Sequence, residues 1–203
     1  MISKHREMIT HIFNASNVLV SMLNDVRTFV ETQCGELDVT PVIVNVHNLL
    51  EELLAAPQEK AREHGWTFDI SMGSGIPEHI MCDPKYLTQL LEHLLNFPLG
   101  FTEKRGITVT ATEGKERDAT QAVMYDLSFA ISYTDVAFSP ETVHHIQQLL
   151  TQEGYDASSC KPDVWFTLTL SRQLSHALGG KFWLESKPEH EYIFRVLLPC
   201  EAI

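Results

Sequence analysis

The 203-residue chain is short of basic charge, cysteine motifs and long apolar runs. Fifteen Lys and Arg stand against 27 Asp and Glu, for a net charge of −12. Nucleic acid is thereby disfavoured, because its phosphates need a basic surface to displace counterions. The four cysteines, Cys34, Cys82, Cys160 and Cys200, are scattered without CxxC spacing, so neither a zinc site nor a disulfide framework is indicated. Free thiols in a reducing compartment are expected. No apolar run approaches the length needed to cross a bilayer, and no cationic segment precedes an apolar one at the start. The expectation is a soluble, cytoplasmic piece, cut from a longer inner-membrane protein.

Proline and glycine are absent from residues 2–31, and the apolar pattern there is a heptad. Ile9, Ser16, Leu23 and Val30 share one seam position; Ile12, Leu19 and Val26 share the other. Phe13 and Val20 widen the stripe. A long helix with such a face needs a partner, and self-association through Ile9, Ile12, Leu19, Leu23, Val26 and Val30 is expected. Residues 1–38 are then a helix plus linker, and residues 39–203 a second domain.

In that second part, residues 41–46 read as a strand, 48–65 as a helix whose charged later half is broken, and 66–71 as a strand. Gly73-Ser74-Gly75 reads as a turn. Asp83-Pro84 opens a helix on which Leu87, Leu90, Leu91, Leu94 and Leu95 form one stripe, until Pro98 and Gly100 stop it. Ile107, Val109 and Ala111 alternate as a strand. Residues 113–120 form a polar loop, 123–133 a strand, 140–151 a helix, 152–163 a loop and 165–178 a helix ending at Gly179-Gly180. A hairpin of residues 182–184 and 192–198 closes the chain, with Pro199 as its stop. Strands and helices mix without strict βαβ alternation, so an α+β two-layer sandwich is expected, one mixed sheet with helices on one face.

Catalytic and metal-ligating patterns are weak. His144 and His145 are adjacent and therefore point about 100° apart on a helix; His176 and His190 have no ligand-type residue at i+3 or i+4. Ser171 sits outside any GxSxG elbow, and Ser158-Ser159-Cys160 has no assigned base. Neither a metal site nor a catalytic residue is expected.

Taken in order, these segments resemble the core of sensor histidine kinases, particularly the hybrid type. DPKYLTQLLEHLLNFPLGFTEKRGITV resembles the family's asparagine-bearing helix, DPxRLxQILxNLLxNAxKFTxxGxI. YTDVAFSPE stands at the first glycine box, LTLSRQLSHALGGKFWLES at the second box and its helix, and FRVLLP at the last strand. The N-terminal helix looks like the second helix of the dimerisation and phosphotransfer domain. The resemblance implies an ATPase-like (GHKL) fold after that helix. It also implies where nucleotide would bind, and there the residues depart from the pattern. Phe97 stands at the Mg²⁺-binding asparagine, His93 at the asparagine a turn earlier and Gly100 at the phosphate-facing lysine. Tyr133 replaces the adenine-binding aspartate, Asp135 and Ala137 replace first-box glycines, and Asp163, Trp165 and Thr167 fall at the second box. Phe97, Tyr133 and Trp165 are expected to converge on the vacated pocket.

The resemblance thus implies a degenerate pseudokinase: no bound cofactor, no ATP hydrolysis, and a scaffold or relay role among a hybrid kinase, a response regulator and a second copy of itself. The kind of member it resembles is the phosphotransfer intermediate of a capsule-regulating relay, with a degenerate kinase region ahead of a histidine phosphotransfer domain. His5 and His11 lie on the N-terminal helix without the family's phospho-acceptor context, and the acceptor helix has no counterpart in the chain. The competing reading is a divergent kinase that holds nucleotide weakly with Asn96 and Asp135.

Overall fold

The computed structural model describes residues 2–96, 106–113, 124–134, 140–151, 162–187 and 191–202. The run without proline or glycine forms one helix, α1 (Ile2–Cys34). It stops where Gly35 takes φ 69°, with Gly35 N–H on the Thr32 carbonyl and Glu36 N–H on the Glu31 carbonyl, the two bonds of a Schellman stop. The chain divides into two compact units, Met1–Asp38 and Val39–Ile203. Among the described residues no helix is long and apolar enough to cross a membrane.

The second unit comprises β1 (Val42–Asn45), α2 (Val46–His64), β2 (Thr67–Met72), β3 (His79–Cys82), α3 (Pro84–Asn96), β4 (Gly106–Glu113), β5 (Met124–Thr134), α4 (Pro140–Thr151), α5 (Pro162–Ala177), β6 (Lys181–Lys187) and β7 (Glu191–Ala202). The strands form one seven-stranded sheet ordered β1-β3-β7-β5-β4-β2, with β6 also paired to β7. Among the described strands only β2 and β4 pair in parallel; the remaining pairs are antiparallel. This is the α+β mixed-sheet sandwich of the ATPase-like fold.

Register explains the core. Val109 pairs with Ile131, Ile131 with Phe194 and Phe194 with Leu184. One step along, Ala111, Phe129, Val196 and Phe182 form the next row. All eight are buried, because alternate residues on paired strands share a face. The opposite face carries Thr108, Thr110, Ser128 and Ser132, none of them buried. The helices cover the apolar face: α5 packs on β6 and β7, and α3 and α4 pack on α5. On α3, Leu87, Leu90, Leu91, Leu94 and Leu95 are all buried, together with Tyr86.

Several boundaries differ from those expected. The second helix starts at Val46 because Asn45 is its N-cap, accepting the Asn48 N–H at 3.0 Å. It also continues through Pro57 to His64. The proline removes one helical bond, while Leu50, Leu53, Leu54 and Ala61 keep the stripe buried on both sides of it. Ile70 is exposed because β2 is the sheet's outer strand. Strand β3 had no periodic signal, being only four residues long; pairing with β1 and β7 makes it a strand. Pro199 does not end the last strand, which reaches Ala202. Along one edge of β7, the β6 ladder ends at Leu197 and the β3 ladder begins at Glu201. Pro199 occupies the gap, where that edge has no ladder to interrupt.

Candidate functional site

The described positions among those expected to be degenerate lie near the end of α3 (His93), at the end of β5 (Tyr133) and at the start of α5 (Asp163, Trp165 and Thr167). Asp83 starts the first of these elements, α3. Its carboxylate Oδ1 accepts the N–H groups of Lys85 at 3.0 Å and Tyr86 at 3.3 Å, capping the helix whose proline at the first position donates nothing. The buried leucine stripe then carries α3 to His93, half-buried, and Asn96, exposed. Asn96 Nδ2 donates to the Glu92 carbonyl at 2.9 Å, so its amide is folded back on its own helix.

The third element begins earlier than expected. Residues 162–163 are helical, not loop: Pro162 is the first residue of α5 and Asp163 lies in its first turn, a pairing that suits a helix start through fixed φ and the helix dipole. Asp163 is exposed, and Trp165 and Thr167 are half-buried between the buried Val164 and Leu168. Backbone amides beyond the first helical turn are bonded to carbonyls four residues back. The amide of Thr167, the sixth residue of α5, is therefore committed within the helix.

Of the remaining positions, Tyr133 lies on β5 opposite Ile107 and Tyr192. Phe97, Gly100, Asp135 and Ala137 fall outside the described residues, as does the side chain of Tyr133, so the expected convergence of Phe97, Tyr133 and Trp165 on the vacated pocket lies outside them too. His93 and Trp165 are carried by two helices that pack on each other, α3 and α5. The six apolar positions singled out on α1 are all solvent-facing, each between 51% and 68% exposed.

Three features escaped sequence reasoning. The second oxygen of Asp83, Oδ2, accepts the Thr40 N–H at 2.9 Å. Arg172 on α5 donates Nη1 to the Leu149 carbonyl at 3.0 Å, tying α5 to the last turn of α4. Burial pushes the Cys82 thiol up to about 12, helped by Cys200 and Asp83 nearby, so it is a protonated, inert thiol at neutral pH. Only the Asp-Pro pair gave any signal, and it signalled the cap alone. Among the described residues, no three His, Cys, Asp or Glu side chains come together as a metal site. His144 and His145 have ring centroids 6.4 Å apart.

No family model matches the chain. The histidine-protein kinase BarA of Escherichia coli is 20% identical over 189 residues, covering 93% of this chain and 20% of that protein. The sensor histidine kinase AruS of Pseudomonas aeruginosa is 24% identical over 184 residues, covering 91% and 18%. Its relatives are sensor and hybrid histidine kinases. The chain spans about a fifth of the length of these kinases. Among solved structures, full-length ShkA in complex with AMPPNP matches with a TM-score of 0.70 at 20% identity, over 98% of this chain and 39% of that one. The histidine kinase ThkA, solved with the response regulator TrrA, matches with a TM-score of 0.58 at 16% identity, over 91% and 48%. These likenesses show the fold: the described residues of the second unit have the α+β arrangement of the histidine-kinase ATPase-like domain.

Proposed function

We propose that this chain is a catalytically inactive histidine-kinase-like module, a scaffold or signal-relay domain in a bacterial two-component phosphorelay that does not bind ATP. The observation that carries this reading is the replacement of the family's nucleotide-binding groups. A metal-ligating asparagine is Phe97, an adenine acceptor is Tyr133, and the glycines that would present free amides are Asp135, Ala137, Asp163, Trp165 and Thr167. The helical setting of Thr167 supports it, because an amide bonded within α5 is not available to a phosphate. Asp163 and Asp135 add negative charge where an anion would sit. Each missing partner in a buried site costs about 1–3 kcal/mol, and a micromolar site has only about 8 kcal/mol to lose.

The partners this reading names are a hybrid kinase, a response regulator and a second copy of the chain. The complex of ThkA with TrrA supports the second, and the exposed heptad face of α1 supports the third. The chain fits a parent such as the phosphotransfer intermediate of the Rcs capsule-regulating relay, in which phosphoryl groups pass through another domain. The match to the AMPPNP complex of ShkA favours a second reading, a divergent kinase retaining weak nucleotide binding and phosphotransfer. Isothermal titration with Mg²⁺ and ATP separates the two. The expected result is no heat at millimolar ATP; micromolar binding would overturn the inactive reading.

A further inference from the structure

A single carboxylate, on a residue 5% exposed, holds two segments that are 43 positions apart in sequence. Asp83 Oδ1 caps α3 through the N–H groups of Lys85 and Tyr86, while Oδ2 takes the N–H of Thr40, in the extended stretch that enters β1. Capping needs one acceptor oxygen, and Ser or Asn serves as well as Asp at that position. The second oxygen is surplus to the cap. Asn in its place would turn an N–H₂ donor toward the Thr40 donor, and Ser would not reach both.

α3 is well suited to carry a displacement. Its 13 residues make a rod about 20 Å long, close-packed along the leucine stripe and against α5. A densely packed helix moves as a body and does not absorb a shift internally. Its far end carries His93 and Asn96.

We propose that Asp83 is a positioning residue that couples the entry stretch around Thr40 to α3, so that a pull on that stretch moves α3 and with it the His93–Asn96 end of the candidate site. The proposal goes beyond the inactive-module reading and holds with or without bound nucleotide.

Residue-resolved hydrogen exchange on the full chain tests it, comparing the native protein with Asp83→Ser and, in case one variant folds poorly, Asp83→Asn. Both variants keep the cap and lose the tether. The expected result is about a tenfold faster exchange at the Thr40 amide, from loss of one hydrogen bond to a charged group. Lys85 and Tyr86 stay protected, the amides of residues 93–96 change in exchange and chemical shift, and Phe129 and Phe194 do not. A purely structural cap would leave residues 93–96 as they are in these variants, and that outcome overturns the proposal. So does a general rise that includes Phe129 and Phe194, or a Thr40 amide already unprotected in the native protein.

Discussion

Single atoms decide two properties of the second unit. Gly180 follows the left-handed Gly179 (φ 76°) and donates to the Ser175 carbonyl at 2.8 Å, closing α5 and turning directly into β6. A Cβ at Gly180 would run into the Leu197 carbonyl oxygen and the Leu198 side chain. Backbone cannot yield as a flexible side chain does, so Gly180→Ala is expected to destabilise by about 1–3 kcal/mol or more, read as a fall in the denaturant midpoint at unchanged slope. Cys82 gives a pH signature. Its folded pKa lies near 12 against an ordinary 9.0, so the folded state holds the proton that the unfolded chain releases. That contribution is complete below about pH 9 and is lost as pH rises toward 12. Cys82→Ser is expected to flatten the decline of stability over this interval, which alkaline denaturant titrations would detect.

Among the elements, α1 and α3 contrast. Both are read from spacing alone, but the α3 stripe is buried by its own unit whereas the α1 face is left in solvent. Exposing six aliphatic side chains on one helix is unfavourable by roughly 25 cal/mol per Å², which a second copy in the heptad register would relieve. Leu19→Glu with Leu23→Glu is therefore expected to convert a dimer to a monomer in light scattering, leaving the circular dichroism of the sheet unchanged. A native protein that is already monomeric would remove self-association from the proposed function.

At the scale of the molecule, the division between Asp38 and Val39 carries its own prediction. The sheet, its covering helices and their core all belong to the second unit, so residues 39–203 are expected to unfold cooperatively without residues 1–38. Thermal unfolding of that fragment should show a single transition close to the main one of the full chain. Non-coincident transitions by fluorescence and circular dichroism would show instead that the core leans on α1.

The amino-acid order by itself determined the long helix, the leucine stripe of α3, the alternating strands of the core and the glycine stops, because each depends on residues within a few positions of one another. The placing of Phe97, Tyr133 and Trp165 at nucleotide-binding positions, by contrast, rests on the resemblance to histidine kinases and belongs to the proposed function. What only the tertiary structure decided rests on partners distant in sequence. β3 is a strand because β1 and β7 flank it, and Pro199 is tolerated because two ladders leave a gap beside it. Thr40 is held because Asp83 has an oxygen left after capping α3. Local pattern cannot encode these, since each is satisfied by a group dozens of residues away that only folding brings within 3 Å or so.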